Sequence, residues 1–177
     1  MTKTHWTVDA SHSSLDFSVK HMMVSKTKGT FHDFDATIEA DPNDLTTANI
    51  EFAVDVASVD TRNEGRDHHL RSGDFFDVEK HPKMTFKSTN IERNGDNEYK
   101  VTGDLTICGV TNSETFFVTS EGQGIDPFGN VVAGFSGKGK INRGDYGLTY
   151  NAVLETGGVI VGDEIKISIE IEAQKAA

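Results

Sequence analysis

NEGRDHHLRSGDFFDVEKHPKMTFKS, residues 63–88, is the one long stretch in which a two-residue hydrophobic alternation is interrupted. Asn63 has the side chain to cap a short helix, and Gly73 offers a place to end it. His81 precedes Pro82, which pushes it out of helical space, so an extended segment resumes there. That segment turns Met84 and Phe86 to one side and Lys83, Thr85 and Lys87 to the other. The stretch therefore predicts a short polar helix that carries apolar Leu70, with Phe75 and Phe76 just beyond it. It reads as a cover over one end of a β-structure, with its apolar side inward.

Working outward, alternation of period two dominates and predicts half-buried antiparallel strands. Leu15, Phe17, Val19 and His21 share one face, as do Phe34, Ala36, Ile38 and Ala40. Ile50, Phe52, Val54 and Val56 form a third row, and Met84 with Phe86 a fourth. The later rows are Tyr99 to Ile107, Thr115 to Glu121, Val131 to Ile141, and the clearest, Ile165, Ile167, Ile169 and Ile171. A short strand around Trp6–Val8 precedes them, and a loop or short helix at 142–150 precedes the last. Phe31 has the wrong parity for its neighbours, which predicts a bulge at His32–Asp33. Eight antiparallel strands with one helix predict an all-β, closed barrel, since closure removes exposed edges. Such a barrel is about wide enough for one slender ligand. Gly137 and Gly139 fall on an inward row, where they either let the strand bend or make room for something else.

The 177 residues read as a single domain, 1–177, with no linker or low-complexity run. A formal net charge of -11 argues against nucleic acid or an anionic membrane surface as the main partner. It leaves room for a local cationic pocket. MTKTHW lacks the apolar run of a signal peptide, and no stretch of about 18 apolar residues predicts a membrane span. Cys108 is the only cysteine, so no intrachain disulfide forms. Together these predict a soluble cytoplasmic protein, with a mature periplasmic chain whose signal has been removed as the alternative.

Five segments carry a family likeness: DASHSSLDFSVKH (9–21), KGTFHDFDATI (28–38), SVDTRNEGRDHHLRSGDFFDVEKHPKMTF (58–86), VTGDLTICGVT (101–111) and INRGDYGL (141–148). In this order they resemble the YceI-like family, the lipocalin-like polyisoprenoid-binding proteins, along nearly the whole chain. The resemblance implies an extended eight-stranded antiparallel barrel with a short helix covering one end. It also implies an elongated apolar pore for a polyprenyl chain or other lipid-like molecule, and a homodimer. Many members carry a signal peptide; this chain resembles the branch without one.

Phenylalanine supplies eleven residues against one tryptophan and three tyrosines. On the predicted inward faces, the candidate pore lining is Phe17, Val19, Phe34, Ile38, Phe52, Leu70, Phe75, Phe76, Met84, Phe86, Leu105 and Phe135. The alternative for each is plain core packing. His21, Arg66, Asp67 and Arg143 are the head-group candidates. A protonated histidine or an arginine pairs with an anion. The competing readings are a core histidine satisfied by a carbonyl or by Asp67, a locally paired Arg66 and Asp67 that pin the helix, and an Arg143 that clamps a turn through Asp145.

Metal and catalytic signals are weak. His68 and His69 point about 100° apart on a helix, and His5, His12 and His32 are scattered. No GxSxG elbow or glycine-rich phosphate loop occurs, and a lone cysteine is usually inert. We therefore expect no metal, no catalytic residue and no cofactor beyond a bound polyisoprenoid or similar lipid. The expected function is a carrier or storage protein for a polyprenyl diphosphate, isoprenoid quinone or long-chain acyl ligand, in stress response or isoprenoid quinone metabolism. The rival is an enzyme acting on an isoprenoid, a quinone or another small amphiphile at the pore mouth, with His21 and Asp67 as its only nominable pair.

Overall fold

The computed structural model describes residues 3–22, 24–151 and 161–176. Its strands are β1 (Thr4–Val8), β2 (Ser14–His21), β3 (Ser25–Phe31), β4 (Phe34–Asp41), β5 (Asp44–Asp55) and β6 (Val59–Asp60). After helix α1 (Glu64–Arg71) come β7 (Lys83–Arg93), β8 (Glu98–Ile107), β9 (Val110–Ile125), β10 (Val131–Asn142) and β11 (Val161–Lys175). All pairings are antiparallel, and β11 pairs with both β2 and β1, which closes the sheet.

The eleven stretches amount to eight strands, because three of them are broken rather than separate. A 3-10 turn at Ala10–His12 separates β1 from β2, His32–Asp33 separates β3 from β4, and a 3-10 turn at Val56–Ser58 separates β5 from β6. These breaks fall at the same level on neighbouring strands. Thr30 pairs with Asp16 and Asp60 above them, and Thr37 with Thr7 and Glu51 below. The wall bends along this line. The two-residue gap at His32–Asp33 resets parity, so Phe31 and Phe34 both belong to inward rows.

Antiparallel meander order places α1, the β2–β3 and β8–β9 turns and the start of β11 at one end. The chain termini and the β4–β5, β7–β8 and β9–β10 turns lie at the other. Asn63 caps α1 by accepting from Arg66 N at 3.0 Å. The helix stops at Ser72, not through Gly73: Ser72 N donates to His69 O, and the left-handed residue nearby is Asp77.

Several inward phenylalanines lie over glycines of the adjacent strand. Phe17 covers Gly29, Phe86 covers Gly103, and Phe116 covers Gly139, where an added Cβ would meet Phe116 Cδ1 at 2.6 Å. Gly139 thus makes room for a ring, while Gly137 borders the interior directly.

Candidate functional site

An apolar cavity of about 220 Å³ occupies the barrel. By the measure in which one water needs roughly 15 Å³, this is space for more than a stray solvent molecule. Of the twelve expected lining residues, Phe34 alone does not border the cavity. It sits at the bend of the wall and packs on Phe52, with ring centroids 6.3 Å apart. The row Ile165, Ile167, Ile169 and Ile171 adds to the lining. So do Phe31 and Phe116, which alternation alone did not single out. Phe116 competes with adjacent Phe117, and the sequence signals that separate them are Val118 on the same parity and the glycine opposite Phe116.

The cavity is blind. At the end carrying the termini, Trp6, Ala40, Tyr99, Ala133 and Ala173 are buried but do not border it, so they form its floor. Trp6 Nε1 donates to Ala40 O at 3.3 Å, which satisfies the one polar atom of that ring. At the helix end, Leu70, Phe75 and Phe76 border the cavity from above. There the rings of His69, Phe75 and Tyr150 meet pairwise edge-to-face at 5.0, 5.2 and 5.0 Å. His69 Nε2 lies 2.9 Å from Asp74 Oδ2, which fixes its ring. This cluster joins the helix segment to the chain leaving β10.

The polar candidates are placed less uniformly. His21 is half-buried at the rim and does not border the cavity. Asp67 is buried and accepts from both Thr61 N and Thr61 Oγ1, so it makes no pair with His21. Arg66 donates Nε to Thr61 Oγ1 and Nη2 to Thr61 O, each at 2.7 Å. Arg66 and Asp67 therefore pin α1 to the segment before it. Arg143 does border the cavity, and it is 4% exposed. Its Nε donates to Gly162 O at 2.9 Å, and its Nη1 donates to Leu148 O and Tyr150 O at 2.6 and 3.0 Å. It clamps carbonyls on both sides of the 152–160 connection, not Asp145. Burial pulls its pKa down, partly offset by Asp163.

A YceI-like domain matches residues 6–173. The chain belongs to the YceI-like family. UPF0312 protein SA2479 of Staphylococcus aureus N315 is 45% identical over 170 residues, 96% of either chain. Among solved structures, Burkholderia cenocepacia BcnA is 30% identical with a TM-score of 0.82, covering 93% of this chain and 98% of its own. The Campylobacter jejuni YCEI protein is 34% identical, with a TM-score of 0.77 over 89% and 90%. A polyisoprenoid binding domain from Saccharophagus degradans shares the fold at 13% identity, with a TM-score of 0.69 over 98% and 99%.

Two further groups of this YceI-like barrel bear on its chemistry. Cys108 Sγ lies 3.4 Å from Phe76 O, and burial, then Asp77, pushes its pKa up. That disfavours the thiolate. Among the described residues, one set of three potential metal ligands converges: Asp9, His12 and Glu172. His12 Nδ1 lies 2.9 Å from Asp9 Oδ2 and 3.4 Å from Glu172 Oε2. The set stands on the outer seam, where β11 passes from β2 to β1, and none of its members borders the cavity. His5, His32, His68 and His69 do not join it.

Proposed function

We propose that this protein holds the tail of a long-chain amphiphile in its barrel, as a carrier or storage protein. The observation that carries the reading is the blind apolar cavity, roofed by α1 and the aromatic cluster. Polyprenyl diphosphates, isoprenoid quinones and long-chain acyl lipids all present such a tail, and a domain of the same fold is named for polyisoprenoid binding. Burial of a methylene is worth about 0.8 kcal/mol. A tail of about forty carbons would sum to about 30 kcal/mol, above the observed ceiling of roughly 18–21 kcal/mol. Ordering the tail therefore offsets much of the gain. Among the described residues the only charged side chains bordering the interior are Arg143 and Asp16, both engaged: Arg143 with carbonyls, Asp16 with Thr30. In this reading the tail supplies the affinity and the head group rests at the mouth.

The reading is a binding protein without turnover, supported by the family match and by the fold neighbour named for polyisoprenoid binding. A homodimer, a cytoplasmic location, the absence of a nucleic-acid partner and a role in stress response or quinone metabolism remain parts of the proposal that rest on the family likeness and composition. No described helix is long and apolar enough to cross a membrane. The test is organic extraction of freshly purified protein followed by lipid mass spectrometry, against a delipidated control. A near-stoichiometric polyprenyl, quinone or acyl species is expected. Extracts empty of any amphiphile, from protein that also takes up none when offered, would sink the reading.

A further inference from the structure

The sixteen residues from Phe17 to His32 contain no acid, in a chain whose formal net charge is -11. Within this stretch β2 and β3 pair as a hairpin at the rim of the cavity: Val19 pairs with Ile165 and His21 with Val161, and Val19, Ile165 and Val161 all border the interior. At its tip Met22 is 45% and Val24 87% exposed. Below it, Lys20 stands directly across from Lys26, and Lys28 is two residues further along the same outer face. Like charges directly opposite one another destabilise a strand pair, so the arrangement is not explained by hairpin stability. The outer row continues through Lys166 and Lys140 on the neighbouring strands. Among the described residues Lys20, Lys26, Lys28 and Lys166 make no ion pair, whereas the nearby acids are engaged. Glu164 lies 3.9 Å from Lys140, Asp163 4.0 Å from Arg143, and Asp16 accepts from Thr30.

We propose that this hairpin docks the barrel on an anionic lipid bilayer, with Met22 and Val24 entering the interface and the lysines facing the head groups. The proposal rests on the carrier reading, because it places the mouth against the source of the tail. Lysines also guard free strand edges, and β3 is paired on its far side only at Thr30 and Phe31. Edge protection accounts for Lys26 and Lys28 but not for Lys20, nor for two apolar side chains at the tip. A second copy adding its own β3 to this edge would set lysine against lysine. A bilayer satisfies both halves of the pattern at once, apolar tip and cationic collar. The negative remainder of the molecule is repelled by the same surface, so the approach is oriented.

Flotation with vesicles of phosphatidylglycerol and phosphatidylcholine, against phosphatidylcholine alone, tests it. The protein is expected to float with the anionic vesicles and to be released at about 1 M salt, where the Debye length is near 3 Å. Each lysine facing an anionic leaflet is worth about fivefold, so the Lys20→Glu/Lys26→Glu/Lys28→Glu triple variant should lose on the order of a hundredfold in partitioning. Val24→Asp should lose about tenfold. All four positions are exposed, so thermal unfolding should confirm that both variants fold. No binding to anionic vesicles overturns the proposal. Binding that needs the lysines but survives Val24→Asp also overturns it, since the apolar tip then enters no interface and the attachment is electrostatic adsorption alone. Extraction of the same preparation separates the two ideas: lipid in the extract without vesicle binding sinks docking alone, while vesicle binding by protein whose extract is empty and which takes up no offered amphiphile supports docking and removes the carrier reading.

Discussion

His12 is the residue at which charge and fold meet most directly. It bridges Asp9 and Glu172 at the turn between β1 and β2, where Asp9 N also donates to Glu172 O at 2.8 Å. The hydrogen bond to Asp9, then the charge of Glu172, raises the His12 pKa above its ordinary value. Hydrogen bonds from Ser11 and His12 hold Asp9 down to about 2. A raised histidine stabilises the fold fully below its unfolded value near 6.5, and that contribution is lost as pH rises through the folded value. A depressed aspartate contributes above its unfolded value near 3.9, and is lost as pH falls toward 2. The seam is therefore tightest between about pH 4 and 6.5. The gap in melting temperature between the natural protein and His12→Gln should be widest near pH 5 and narrow by about pH 9. A gap that stays constant across that range would show that the imidazole charge does not hold the seam. Inward-facing residues such as Phe17, Val19 and Ile167 were legible in the sequence, because alternation alone decides their face. Partners of the polar residues were not. Arg143 spends its donors on main-chain carbonyls, which every residue carries, and Asp67 accepts from the N–H and hydroxyl of Thr61, so neither is held by the opposite charge that a sequence search for pairs would look for.

The strands show what period two conveys and where it fails. Each predicted row falls on a different strand of the barrel, and three of these strands run on past a break into a second stretch. The three breaks, at Ala10–His12, His32–Asp33 and Val56–Ser58, hide the continuity because each shifts parity or spacing. Only His32–Asp33 was foreshadowed, through Phe31. Gly29, Gly103 and Gly139 carry information that hydrophobicity does not, since each admits a ring from the neighbouring strand. Gly139→Ala makes this concrete. In an ordinary strand, alanine for glycine is neutral or stabilising. Here the new methyl meets Phe116 and lies 3.1 Å from Thr115 O, so the ring must swing into the cavity. Denaturant unfolding should show a loss of about 1–3 kcal/mol, and uptake of a fluorescent long-chain amphiphile should fall with it. Unchanged stability and uptake would mean that Phe116 has other room to move.

The whole molecule is a cup rather than a tube. Sequence rows indicated an apolar interior, but they could not distinguish a channel from a blind cavity, because Trp6, Tyr99 and Ala133 lie on the same inward faces as the lining. Their depth along the barrel, fixed by register, makes them a floor. Exchange of a bound tail should therefore pass the aromatic cluster at the helix end. Phe75→Ala should speed release of a fluorescent amphiphile severalfold, followed by transfer to acceptor vesicles, while Trp6→Phe should leave the rate as it is. The reverse pattern would place the exit at the floor.

A floor without an outlet also has a volumetric consequence. An apolar recess of about 220 Å³ holds water poorly, so the vacant protein encloses space that unfolding abolishes. Hydrostatic pressure acts on that difference. Vacant protein should unfold at lower pressure than protein whose recess is occupied, and compression, which needs no knowledge of the occupant's chemistry, becomes a gauge of how full the barrel is.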